Sequence, residues 1–187
     1  MKLLGREAIK QDIVLDDGES QPGLVIYKND LTRQLEIVWN RDVPAHPWFV
    51  EICRGALTAP PPPCRWRTAE GVGIGTTLKE LERLNRKPFT IVSGSTDEGG
   101  TVMSFEGGTL ASFDRGSERE PGNADQLILQ LVPRIDEKGE DIPKLSDEER
   151  AQVYGTDKDL PSSNPTLQKI NPYVAKFTLM FPFGRVK

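Results

Sequence analysis

One stretch of the chain, Gly71-Val72-Gly73-Ile74-Gly75-Thr76-Thr77 running on through Leu78 to Pro88 and Phe89, restricts local structure more tightly than any other. Thr77 and Glu80 have the spacing of a capping box, in which hydroxyl and carboxylate each satisfy an otherwise orphaned backbone amide. Leu78, Leu81 and Leu84 then recur at helical spacing and form one apolar stripe. Pro88 halts the helix, and Asn85 suits a left-handed cap. A helix of about two to three turns does not persist alone in water, so this one must lie against a sheet.

Short strand-like runs supply that sheet. Gly23–Tyr27 and Leu35–Trp39 flank the polar turn Asn29-Asp30 and read as a hairpin, and Trp48–Cys53 follows the turn that contains Pro44 and Pro47. Pro60 to Pro63 form an extended connection that cannot donate to a ladder. Beyond the helix, Phe89–Ser93, Thr101–Phe105 and Thr109–Phe113 are predicted strands joined through Gly99-Gly100 and Gly107-Gly108. Leu127–Val132 reads as a central strand, and Tyr173–Phe181 as the last, with Phe177, Leu179 and Phe181 on one face. A short helix capped by Ser146 with Glu149 three residues on interrupts the charged, proline-rich 133–165 segment. Strand follows strand through hairpins, so the predicted class is α+β with mainly antiparallel sheet.

Leu84-Asn85-Arg86 precedes a strand, an acidic turn and Gly100-Thr101-Val102-Met103. Leu4-Gly5-Arg6 likewise precedes Ile13-Val14-Leu15, an acidic turn and Gly23-Leu24-Val25-Ile26. This is either chance similarity or a repeat of two helix-plus-hairpin units, the first beginning at its helix's last turn. The expected organisation is one domain, 1–187, with sub-units 1–57 and 68–132, an insertion at 133–165 and a closing strand within 166–187.

Composition narrows the function. The net charge is -4, which offers no basic stripe for a phosphate backbone, so nucleic acid is not an expected partner. No apolar run reaches the roughly 20 residues of a membrane-spanning helix. Cys53 and Cys64 admit two readings: separate thiols, or one disulfide closing the proline-rich loop in an oxidising compartment. The chain has 1 histidine, His46, which rules out a multi-histidine metal centre and leaves His46 as a loop residue.

The glycine-rich stretch invites a nucleotide-binding reading, but its third glycine falls one residue too early for a dinucleotide fingerprint. Thr76 also stands where a phosphate loop needs Lys. The expected role is a lead-in that brings the helix close to the sheet, with no cofactor implied. Asp97, Glu98 and Glu106 lie near hairpin turns and suggest, as one alternative, a carboxylate-dependent hydrolase. Asp157, Asp159, Ser162, Ser163 and Asn164 form a polar loop whose spacing is not that of a calcium loop. Tyr27, Trp39, Trp48 and Trp66 are the candidate binding residues, because aromatic side chains supply contact area to protein or carbohydrate ligands. Trp39 ends one strand and Trp48 begins the next, which places them near one another.

The segment Gly71–Phe89 resembles a motif of uncharacterised bacterial proteins, departing from it at Arg86, where the pattern expects Gly. Leu35–Trp39, Gly100–Phe105, Ser162-Ser163-Asn164-Pro165 and Asn171-Pro172 extend that likeness over most of the chain. More distantly, a helix introduced by Gly-x-Thr and followed by hairpins is similar to the β-lactamase-inhibitor-protein-like fold, used also by small outer-membrane lipoproteins of the SmpA/OmlA type. The likeness implies a helix-on-sheet module that binds another protein and performs no chemistry. The expected function is therefore a non-enzymatic binding or structural protein with a protein partner; the alternatives are a carbohydrate-binding module using exposed Trp and the hydrolase. An envelope or periplasmic location goes with an upstream extension, and a cytoplasmic one with its absence.

Overall fold

The computed structural model describes residues 7–15, 18–40, 47–54, 63–93, 99–114, 126–155 and 158–181. The expectations for Leu4-Gly5-Arg6, His46, Pro60 to Pro62, Asp97, Glu98 and Asp157 lie outside the described residues.

The first four strands, β1 (Ala8–Val14), β2 (Ser20–Ile26), β3 (Leu35–Trp39) and β4 (Pro47–Ile52), form an antiparallel meander. Helix α1 (Leu78–Asn85) follows, then β5 (Thr90–Ile91), β6 (Val102–Ser104), β7 (Gln126–Val132), and the small hairpin of β8 (Arg134–Ile135) and β9 (Asp141–Ile142). Helix α2 (Asp147–Tyr154), β10 (Leu160–Pro161), helix α3 (Pro165–Ile170) and β11 (Tyr173–Met180) complete the order. The chain is an α+β protein with a six-stranded antiparallel sheet, β1-β2-β3-β4-β11-β7, and a small sheet, β10-β5-β6, beside it.

Strand β11 thus joins the β1–β4 meander to β7, pairing β4 on one side and β7 on the other. Leu24, Ile37, Val50, Leu179 and Leu127 stand opposite one another in a single row across five strands. Side chains alternate between faces along each strand, so this row and its neighbours give one face its apolar character. Val50 and Leu127 of this row share one core with α1, whose Leu78 and Leu81 are 0 % exposed, while Leu84 packs at the core's margin. The capping box of Thr77 and Glu80 is formed as the sequence predicts.

A second, smaller core of Ile13, Val25 and Val38 lies on the opposite face, with Trp48 and Phe49 against it. The side chain of Ile13 occupies the space a Cβ at position 23 would need, so Gly23 is what lets β1 press onto β2 there. Glu36 and Glu51 oppose each other across β3 and β4. Their like charges are offset by Arg54, which lies 3.3 Å from Glu36 and 3.6 Å from Glu51 and also donates to the Val14 carbonyl. That last bond draws the far end of the β1–β2 hairpin over this face.

Three expectations need correction, and one helix is an addition to them. The left-handed residue after α1 is Arg86 (φ 59), and Asn85 is instead the last helical residue, wholly buried. Its amide donates to the carbonyls of Lys87 and Phe105 and accepts from the Leu110 amide, three backbone groups that a solvent-facing cap would leave unpaired. Thr109–Phe113 is not a strand but runs into a 3-10 turn at Ala111–Phe113, because the Thr109 and Leu110 amides are spent on Asn85. Leu127–Val132 sits at the end of the large sheet, its outer edge bonded to Gly100 and bridged at Thr101, with β11 as its inner neighbour and β3 and β4 in the middle. Helix α3 was not anticipated; Asn164 caps it and Pro165 occupies its first turn.

Removing the Asn85 amide strands buried backbone groups, so Asn85→Ala is expected to cost about 3 kcal/mol. Urea unfolding monitored by circular dichroism checks this; a midpoint equal to the wild type's contradicts the role assigned to the side chain.

Candidate functional site

The β2–β3 connection builds a rigid corner at one end of the large sheet. Asp30 organises it: its carboxylate accepts from the Thr32 amide at 3.0 Å and hydroxyl at 2.6 Å, and from Arg33 Nε at 2.7 Å. The Thr32 hydroxyl above all, with Arg33 next, holds the Asp30 pKa down to about 2. Arg33, so fixed, lays its guanidinium 4.3 Å over the Tyr27 ring. Tyr27 itself adopts a left-handed backbone (φ 56), which turns the chain out of β2.

Trp66 arrives from a distant part of the sequence. Its indole N–H donates to the Arg33 carbonyl at 2.8 Å, and the adjoining Arg65 amide bonds the Thr32 carbonyl. A disulfide between Cys53 and Cys64, with Cα atoms 5.9 Å apart, ties this segment to the end of β4. On its other side, Gly73 lies against the Trp66 backbone so closely that a Cβ would collide with the carbonyl. Trp66 remains 38 % exposed, and Leu31, from the same turn as Asp30, is 59 % exposed.

Two of the four aromatic candidates, Tyr27 and Trp66, are therefore brought together, and Arg33 joins them. Trp39 and Trp48 are not part of this group. They lie at the opposite end of β3, roughly 13 Å along the strand from the Tyr27 end. Trp39 stands opposite Pro47, next to Trp48. The Trp48 ring packs edge-on to Phe49 at 5.3 Å and supports the smaller core.

The glycine-rich lead-in has its amides committed to protein. Gly75 donates to Val174 and Gly73 to the Thr76 hydroxyl. The first helical amides go to the Pro172 carbonyl (Leu78), Asn171 Oδ1 (Lys79) and the Thr77 hydroxyl (Glu80). A helix start filled in this way has no donors left to cradle a phosphate.

Of the other polar candidates, Glu106 and Ser162 make bonds within the fold. Glu106 accepts from Thr90 Oγ1, and Asp114 accepts from the Phe105 amide. Burial, with the Glu106 charge adding to it, pushes the Asp114 pKa up. Neither is among the residues that line the cavity between the small sheet, β7, α2 and α3. In the polar loop, buried Ser162 accepts from the Phe89 amide and donates to Glu82, which Gln168 also contacts. Ser162, Glu82 and Gln168 thereby latch β10, α1 and α3 together. Among the described residues no cluster of His, Cys, Asp and Glu has the arrangement of a metal site, and no helix is long and apolar enough to cross a membrane.

No protein-family model matches the chain, and neither the curated proteins nor the solved structures compared with it give a match. What the fold and the corner define is an antiparallel α+β protein that presents a preorganised Tyr–Arg–Trp surface group.

The sequence carried a signal for part of this. Asp30-x-Thr32-Arg33 is the pattern of a side chain that bonds the backbone two residues on, but the stacking of Arg33 on Tyr27 depends on where the turn folds. A depressed folded-state pKa means that the Asp30 contribution is complete above its unfolded value near 3.8 and is lost as pH falls through about 2. A carboxyl-detected NMR titration is expected to give a midpoint near 2, with Thr32→Val moving it upward. A wild-type midpoint near 3.8 contradicts this arrangement.

Proposed function

We propose that this protein is a non-enzymatic binding domain that engages a protein partner through the corner formed by Tyr27, Leu31, Arg33 and Trp66. The observation that carries the reading is the Trp66 indole bonded to the carbonyl of the same arginine whose guanidinium covers Tyr27. Trp, Tyr and Arg are the residues that dominate binding energy at protein interfaces. Side chains already held in place lose little freedom on association, which favours affinity.

A carbohydrate partner fits this arrangement less well. Sugar stacking needs open aromatic faces, whereas one face of Tyr27 is occupied by Arg33 and the other two indoles lie elsewhere. The hydrolase reading gains no support from the cavity beside β7, whose described lining holds no carboxylate. The Cys53–Cys64 bridge favours an oxidising compartment, in keeping with the distant likeness to outer-membrane lipoproteins.

Affinity capture from extracts of the source cells, using wild type, Trp66→Ala, Tyr27→Ala and the exposed control Ile135→Ala, tests the proposal. A partner protein retained by wild type and Ile135→Ala is expected to bind the two corner variants about tenfold or more weaker. Undiminished retention by both corner variants contradicts the reading, and glycan-array binding that depends on Trp66 replaces it with the carbohydrate alternative.

A further inference from the structure

A cavity of about 170 Å³, partly open to the surface, lies where the small sheet, β7, α2 and α3 meet. Its walls are the side chains of Ile91 from β5, Leu131 from β7, Val153 from α2, Leu160 from β10, and Leu167 and Ile170 from α3. We infer that this cavity is a binding site for a small uncharged apolar molecule, of the size of one substituted aromatic ring.

Three observations carry the inference. Apolar cavities of about 150 Å³ take benzene-sized guests, so the volume fits a single ring. No acidic or basic residue is among the described lining residues, and an ion moved here would lose its hydration without a partner. The backbone groups at its rim are paired with one another: the Val92 amide bonds Thr101, Gly100 bonds Val92, and Leu131 bonds Gly100. A water molecule needs two to four polar partners to be held in place, and these ladder-bonded groups offer it few.

Tyr154 is the one lining residue with a polar side chain among those described, and its hydroxyl is already committed. It donates to Asp141 Oδ1 at 3.1 Å, while Arg150 lies 3.4 Å from the other Asp141 oxygen. Burial, then the Asp141 charge, pushes the Tyr154 pKa up, so the phenol stays neutral. The residue is a fixed wall of the cavity, with its polar atom directed to Asp141. An unfilled hole costs stability in proportion to its volume, and a bound apolar guest removes that cost. The site is separate from the aromatic corner, and its occupancy does not depend on the function proposed there.

Toluene titrated into the whole protein and followed by methyl NMR tests the inference. Saturable shifts are expected at Val153, Leu160, Leu167 and Ile170, with Leu24 and Val38 unmoved, together with a rise in Tm. Benzoate, of similar size but charged, is expected to leave all of these unchanged. Val153→Phe, which fills the space, is expected to abolish the toluene response; if it does not fold, Leu160→Phe serves the same purpose. Absence of saturable shifts in the wild type, shifts equally large at Leu24 and Val38, or equal binding of benzoate each overturn the assignment.

Discussion

The fold depends on a short backbone ladder between the residues that introduce α1 and the residues that begin β11. Val174 accepts from Gly75 and donates to Thr76, and Pro172 accepts from Leu78. These bonds fix the start of the helix to the strand that links the β1–β4 meander to β7. Leu78 and Leu81 are wholly buried in the same core as Val50, Leu127 and Leu129 of the sheet. Gly73 of the lead-in serves a different approach, since a side chain at position 73 would strike the Trp66 carbonyl.

The same region supports the aromatic corner. Gly73 packs on Trp66, Arg67 donates to Thr76, and the disulfide anchors Cys64 to the end of β4. Trp66 is thus held by covalent, hydrogen-bonded and steric constraints from three directions, although it lies in a segment without regular secondary structure. Closing a loop of this length removes on the order of 3 kcal/mol of freedom from the unfolded chain. A surface group so constrained is suited to recognition, because little remains to be ordered when a partner arrives.

Much of the sheet and the whole of α1 could be read from the residues. Alternating apolar runs marked β2, β3, β4, β6 and β11, and Thr77, Glu80 and Pro88 marked the helix. The misses arose where a tertiary partner outweighed local preference. Asn85 looks like a cap by its type, yet the buried carbonyls and amide around it make a helical, inward-facing Asn85 the better-bonded state. The polar residues of Ile9 to Asp12 hid the first part of β1, an edge strand that needs no apolar run on both faces. Asn164-Pro165 carried a helix-start signal for α3, but a six-residue helix is too short to show a period. At the corner, Tyr27 and Trp66 were legible as candidates, whereas Arg33 was not: its partners lie across a turn and 33 residues along the chain.

Native-state hydrogen exchange tests the central claim, that the ladder between the helix lead-in and β11 holds the molecule together. The Gly75, Leu78 and Val174 amides are expected to exchange only through global unfolding, with the same free energy as the central amides of β7 and β11. Exchange of these three through a low-energy local opening, while the β7–β11 pair stays protected, would show that the sheet stands without the helix and contradict the account.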